Sequence, residues 1–155
     1  MADAAKSKDF KSYVADLEGV IEEYMVKKAP GLPENIKEII VKFTPWITVI
    51  LMVMLAPVVL GVLGLGSLLM PLSFLGGVGF GVSHVVTLVL TVVLLVMEAL
   101  ALPGLFKRAK SGWTLMFYAS LVSIVSGIFS GGILNTIVST LIGWYFLFQI
   151  KSYYK

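Results

Sequence analysis

The sequence predicts an all-α integral membrane protein with four transmembrane helices in two hairpins, preceded by an N-terminal cytoplasmic amphipathic helix. Two blocks carry this prediction: residues 43–106 contain one charge, Glu98, and residues 111–150 contain none. A water-soluble domain of this size leaves about 30–40% of its unfolded-chain surface exposed, and that surface needs charges. The hydrophobic fraction of 58% and the mean hydropathy of +0.96 agree. Lipid is therefore the expected solvent of both blocks.

Each block is long enough for two spans, because about 20 helical residues cross a hydrocarbon core of roughly 30 Å. The first block divides at a glycine-rich stretch, and the second divides at Gly131-Gly132. Residues 45–150 thus form the predicted transmembrane domain. Its predicted spans are residues 45–64, 83–104, 113–130 and 133–150.

The distribution of the twelve lysines and arginines predicts the orientation. With four spans, all twelve lie on one side, in residues 1–44, 107–110 and the tail 151–155, while the outer connections 65–82 and 130–134 carry no charge. Basic residues concentrate on the cytoplasmic side of membrane proteins, so both termini are expected to be cytoplasmic. No signal sequence is recognised before the first apolar run, and the chain has no cysteine. The bacterial inner membrane is the expected location.

Residues 1–44 differ from the rest because apolar and charged positions alternate. An apolar face recurs at three- and four-residue spacing, as in an amphipathic helix: Phe10, Val14, Leu17, Ile21 and Tyr24. The helix should end before Pro30, and a second short helix should start near Pro33. Lys6 to Lys28 contain five lysines and five acids. This neutral balance favours a contact with protein over one with anionic lipid: the chain's own bundle, another subunit or a cytoplasmic partner.

Glu98 is the only acid in the apolar blocks. An intramembrane carboxylate costs about 2.5–3.5 kcal/mol on insertion scales, so it should face protein. Helical spacing places it in one polar stripe with His84, Thr87 and Thr91. The possible hydrogen-bond donors at its depth are Tyr118, Ser120 and Trp144. Two interpretations remain open: a proton or ion site, and a buried acid that fixes helix packing.

Small residues recur every four positions along both spans of the second hairpin. The third span carries Ala119, Ser123, Gly127 and Gly131, and the fourth carries Asn135, Ser139 and Gly143. Such spacing lets helix backbones approach closely and lets side-chain oxygens bond across the contact. The pattern predicts a tight hairpin, and it is equally suited to self-association.

The segment from Gly77 to Gly81 reads G-V-G-F-G, which is similar to the selectivity filter of potassium channels. Gly77 stands where the filter has a threonine ligand, and no acid follows Gly81. We therefore interpret the segment as a glycine-rich outer connection, and its sequence leaves open whether it re-enters the membrane.

The composition excludes several classes of function. With one histidine and no cysteine, we expect no metal site, cofactor or thiol chemistry, and the scattered cations do not form a nucleic-acid site. We expect a non-enzymatic subunit or scaffold, associating with the bilayer and with copies of itself or other membrane subunits. The alternative is an oligomeric transporter or channel whose polar path includes Glu98, His84, Thr87 and Thr91. A lipid-modifying enzyme using Glu98 and His84 ranks third.

Overall fold

The computed structural model describes residues 9–155, without the side chains of Leu55, Val58 and Val62. Within that range the chain is helical and contains no strand, which confirms the all-α prediction. The five long helices are α1 (Phe10–Glu22), α2 (Glu34–Ser73), α3 (Val78–Phe106), α4 (Lys110–Phe129) and α5 (Ile133–Gln149). A π-helical turn, Glu23–Lys28, continues α1, and 3₁₀ turns occupy Phe74–Gly76 and Lys151–Tyr153.

Helix α2 runs unbroken for 40 residues and contains Pro45, Pro57 and Pro71. It joins the short helix expected near Pro33 to the first predicted span and continues through half of the connection expected at 65–82. In apolar surroundings a broken helix leaves backbone groups unsatisfied, so proline and glycine do not end a helix as they do in water. Helix α2 ends at Ser73, and the turn is completed at Gly77, whose φ of 106° favours glycine. Helix α3 consequently begins five residues earlier than predicted.

The last two helices begin and end close to the residues that the apolar pattern predicts. Helices α4 and α5 occupy 110–129 and 133–149, beside predictions of 113–130 and 133–150. Gly131, with a φ of 75°, forms the turn between them. Of the described helices, α3 and α4 are long and apolar enough to cross a membrane, with mean hydropathies of 2.7 and 1.6 in their most apolar windows. Helix α5 and the segment Leu63–Gly76 are apolar but shorter.

Helices α2 to α5 pack as neighbours in chain order, with the most extensive contact between α3 and α4. The start of α2, the α3–α4 turn and the residues after α5 gather at one end of the bundle, which we name the basic end. Its cations are Lys37, Lys107, Arg108, Lys110, Lys151 and Lys155. The α2–α3 and α4–α5 turns carry no charge.

The best-buried core lies near the basic end and is aromatic. Trp113 stacks on Phe117 with ring centroids 5.7 Å apart, and the edge of Phe148 meets both rings. The indole N–H of Trp113 donates to the Leu147 carbonyl at 2.8 Å. Since buried rings in this geometry stabilise a contact beyond their area, this cluster fixes α4 against the end of α5.

Helix α1 packs against the side of this bundle through Val14 and Ile21, which are both buried. An apolar cavity of about 380 Å³ separates its first turns from the middle of α4; its lining comprises Phe10, Tyr13, Val14, Leu17, Leu121, Val122 and Val125. Val125 lies about 22 Å along α4 from Lys110. Helix α1 therefore runs along the bundle instead of lying across its basic end.

Candidate functional site

The small-residue positions of α4 are used within the chain. Ala119 and Gly127 are buried, and a Cβ on Gly127 would overlap the side chain of Thr136 on α5. Ser123 and Gly131 are exposed, and Gly131 forms the turn that follows. This half of the pattern supplies the close contact between α4 and α5.

The small-residue positions of α5 face away from the chain's own helices. Asn135, Ser139 and Gly143 are all exposed, and nothing lies within 4 Å of the position that a Cβ on Gly143 would take. The Ser139 hydroxyl donates to the Asn135 carbonyl at 2.6 Å, within its own helix. We name Asn135, Ser139 and Gly143 the α5 stripe.

A shallow groove of about 240 Å³ runs between the α5 stripe and α4. Its polar lining is dominated by hydroxyl groups, and the indole N–H of Trp144 donates to the Ser120 hydroxyl at 2.7 Å, linking the two helices. The residues that line it are Met116, Ser120, Ser123, Ser139, Thr140, Gly143, Trp144 and Leu147. A surface with a groove, exposed small residues and hydroxyl groups allows another helix to approach closely.

Glu98 does not meet the donors predicted for it. It is only partly buried, and in the part of the chain that the structure describes it has no hydrogen bond or ion pair. Ser120 and Trp144 bond to each other instead, and the Tyr118 ring lies beside Phe117. Glu98 is thus a carboxylate on an apolar helix without a partner from the described residues.

The other residues of the polar stripe predicted with Glu98 lie on α3 in two different environments. Thr91 donates to the Thr87 carbonyl at 2.8 Å within α3. His84 and Thr87 line a cavity of about 420 Å³ beside the α4–α5 turn, together with Ser130. Neither Thr91 nor Glu98 lines that cavity. Helical spacing placed these residues on one face, but this cavity joins only two of them.

Lys151 connects α1 to the basic end. Its ammonium Nζ lies 2.8 Å from Glu18 Oε1 and 2.5 Å from Glu22 Oε2, and 5.1 Å from the centroid of the Trp113 ring. Burial alone would lower the pKa of Lys151, but hydrogen bonds and charges from Glu18 and Glu22 outweigh it and raise that pKa above the ordinary lysine value. The ammonium therefore stays charged and holds α1 in place.

Gln149 holds the segment between α1 and α2. The side chain is buried; its Oε1 accepts from the Leu32 amide at 3.2 Å, and its Nε2 donates to the Met25 carbonyl at 2.7 Å. The Tyr145 hydroxyl donates to the Pro30 carbonyl at 2.7 Å one turn earlier on α5. These bonds satisfy backbone groups that the proline-rich break leaves open.

Sequence reasoning missed Lys151, Glu18, Glu22 and Gln149 as positioning residues. In the sequence, Lys151 serves only as one of the basic residues that predict the membrane orientation, although it directly follows an uncharged block. The role of Gln149 could have been predicted, because a neutral amide at the end of an apolar helix is usually hydrogen-bonded to backbone groups when it is buried.

No group of three or more metal-ligating side chains occurs among the described residues. Comparison of the chain with models of known protein families, with curated proteins and with solved structures found no match.

Proposed function

We propose that this chain is a small, non-enzymatic subunit or scaffold of a membrane, which binds another transmembrane helix through the α5 stripe. The observation that carries the proposal is the exposure of Asn135, Ser139 and Gly143 beside a hydroxyl-lined groove. Within a bilayer, association depends on close packing and interhelical hydrogen bonds, and a stripe of this composition supplies both. The partner is a second copy of the chain or another membrane subunit.

Four spans are part of the proposal. Helices α3 and α4 meet the length and hydropathy of a span, α2 packs against α3, and α5 packs against α4. The 17 residues of α5 measure about 26 Å, which suits a span with little tilt. The cations of the basic end would then face the cytoplasm, as the positive-inside rule expects. We retain the bacterial inner membrane as the proposed location.

Helix α1 would add a second contact along the side of the bundle. Val14 and Ile21 are buried against the chain itself, while Phe10, Val20 and Tyr24 stay exposed on the same helix. The Lys151 contact with Glu18 and Glu22 fixes the direction in which this surface points.

Cross-linking tests the association directly, because the natural chain contains no cysteine. With Ser139→Cys, membranes treated with an oxidant should give a disulfide-linked dimer if the partner is a second copy. A photoreactive residue at position 139 should capture any other subunit. Ala99→Cys is the matched control, since Ala99 is a small exposed residue on α3. Failure of both probes at 139, or equal products from position 99, would contradict the proposal.

Transport by an oligomer is the second candidate, and it is favoured by the carboxylate of Glu98, which has no partner among the described residues. A neighbouring copy could supply the donors that Glu98 does not find among the described residues, and the cavity at His84 and Thr87 could belong to the same path. Reconstituted vesicles should then conduct protons, ions or small solutes, and Glu98→Gln should abolish the flux. Silence of the wild-type protein across these solutes would remove this candidate.

A further inference from the structure

We propose that the basic end contains a binding site for the phosphate headgroup of an anionic phospholipid. A cavity of about 640 Å³ opens there between the start of α2, the α3–α4 turn and the residues after α5. Its volume lies within the range of small-molecule sites. The charged and hydroxyl side chains that line it are Glu34, Lys37, Lys107, Arg108, Ser152, Tyr153 and Lys155.

The charges of this cavity are unbalanced. Four cations face one carboxylate, and no ion pair within 4.0 Å neutralises Lys37, Lys107, Arg108 or Lys155 among residues 9–155. This contrasts with Lys151, which lies nearby and already has two carboxylate partners. Since like charges gathered in one cavity repel, an anion bound among them would lower the free energy of the whole end.

Backbone groups add to the attraction and keep the cavity in shape. The cavity is lined by Glu34 at the start of α2 and by Ala109 just before α4, so two helix N-termini border it. Helix N-termini favour anions. Arg108 and Lys155 are connected through the main chain: the Lys155 amide donates to the Arg108 carbonyl at 3.0 Å, and the Lys110 amide donates to the Lys155 oxygen at 2.9 Å.

The choice of a lipid over a soluble phosphate compound rests on the proposed function. If α3 and α4 span the bilayer, their turn at 107–109 lies at the headgroup level. Basic pockets between transmembrane helices on the cytoplasmic side bind anionic headgroups. The buried Tyr154 hydroxyl, which has no hydrogen-bond partner in the described part of the chain, belongs to the adjoining cavity that shares Lys37 and Ser152. Because the Tyr154 oxygen is itself buried, the site proposed for the headgroup consists of the side chains that line the first cavity.

Titration of the purified protein in mild detergent tests the site, with bound lipid counted by native mass spectrometry. Phosphatidylglycerol should bind, and phosphatidylcholine and inorganic phosphate should not compete with it. The variant Lys107→Gln/Arg108→Asn should bind phosphatidylglycerol about thirtyfold more weakly, since each cation contributes about a factor of five at a membrane surface. Asparagine is chosen because Arg108 has a φ of 52°, which asparagine tolerates.

The matched control is Lys11→Gln/Lys27→Gln, which removes the same charge outside the cavity and should leave binding unchanged. If the turn variant unfolds, Lys155→Gln replaces it, with about a fivefold loss expected. Equal binding by the cavity variant and the control, or equal affinity for phosphatidylcholine, would overturn the proposal. Competition by inorganic phosphate would overturn the lipid assignment. Cross-linking at position 139 tests the proposed helix association independently. A failure of lipid binding can therefore be distinguished from a failure of the proposed function.

Discussion

Gly104 on α3 and Gly112 on α4 face each other with no room for a side chain between them. A Cβ on Gly104 would lie 2.6 Å from the Gly112 nitrogen, and a Cβ on Gly112 would lie 2.5 Å from the Gly104 carbonyl carbon. Both obstacles are backbone atoms, which cannot move aside as a flexible side chain can. This contact sets the α3–α4 hairpin and thereby the position of Lys107 and Arg108.

Gly112→Ala should therefore lower the free energy of unfolding by about 1–3 kcal/mol, the usual cost of overpacking. Thermal unfolding in detergent measures it. Gly64→Ala is the control, because nothing lies within 4 Å of a Cβ there and alanine favours a helix by about 0.5–1 kcal/mol. Equal stability of the Gly112→Ala and wild-type proteins would show that the hairpin does not depend on this contact.

Lys151→Met should release α1 from the bundle while α2 to α5 stay folded. The two lost ion pairs are partly buried, so a cost of about 1–2 kcal/mol is expected for docking of α1. Hydrogen exchange of residues 14–22 should accelerate. Lys28→Met provides the comparison, because its pair with Glu23 is about half exposed and should contribute little. Unchanged protection of α1 in Lys151→Met would contradict the role given to Lys151.

Stability should fall in alkaline solution for two reasons of the same sign. The pKa of Lys151 is raised, so its contribution is complete below the unfolded value of about 10.4 and is lost as pH rises through the folded pKa. Burial raises the pKa of Tyr154, and the charge of Arg108 partly offsets this shift. Because the phenol loses its proton more readily in the unfolded chain, the folded state also loses stability at this residue as pH rises above about 10.

Unfolding measured at pH 7, 9 and 11 separates these contributions. The advantage of the wild type over Lys151→Met should stay constant from pH 7 to 9 and shrink at pH 11. Tyr154→Phe should lessen the alkaline loss while leaving stability near neutral pH unchanged or higher, because it removes a buried unpaired hydroxyl. An advantage that grows with pH would have the wrong sign for this account.

Gln149→Leu should loosen the segment between α1 and α2. The change keeps the volume but leaves the Leu32 amide and the Met25 carbonyl without their partner, at a cost of about 1–3 kcal/mol. Exchange of the Leu32 amide should rise most. Tyr145→Phe removes a single hydrogen bond, to the Pro30 carbonyl, which is more exposed than the bonds of Gln149, and this change should have a smaller effect. A Leu32 amide that remains protected in Gln149→Leu would rule out this anchoring.

The helices of the second hairpin could be predicted from sequence because uncharged runs and a Gly-Gly turn mark them without ambiguity. The first hairpin could not be bounded in the same way. Gly61, Gly64 and Pro71 resemble loop signals in water, yet α2 continues through all three. In apolar surroundings the need to satisfy every backbone group overrides their low helix propensity. The helix ends at Ser73, and the turn that follows it is completed at Gly77, where φ is positive.

The sequence predicts which residues form the candidate site, but it does not predict which helix face is exposed. Four-residue spacing shows that Asn135, Ser139 and Gly143 share a face, but it cannot show that the face is left open while Gly127 packs inside. The contact of Lys151 with Glu22 joins residues 129 positions apart, and no local pattern specifies it. For Glu98 the predicted contacts do not form, since Ser120 and Trp144, two of its three predicted donors, bond to each other.

Every proposal depends on four crossings of the bilayer with the basic end on one side, and cysteine accessibility measures this most directly. Single cysteines at Leu75 and Ser130 report the uncharged turns, and cysteines at Lys110 and Ser152 report the basic end. In intact cells, a membrane-impermeant maleimide should label the first pair, and it should reach the second pair only after the membrane is opened. Labelling of Ser130→Cys and Ser152→Cys from the same side would show that α5 does not cross, and would contradict the account.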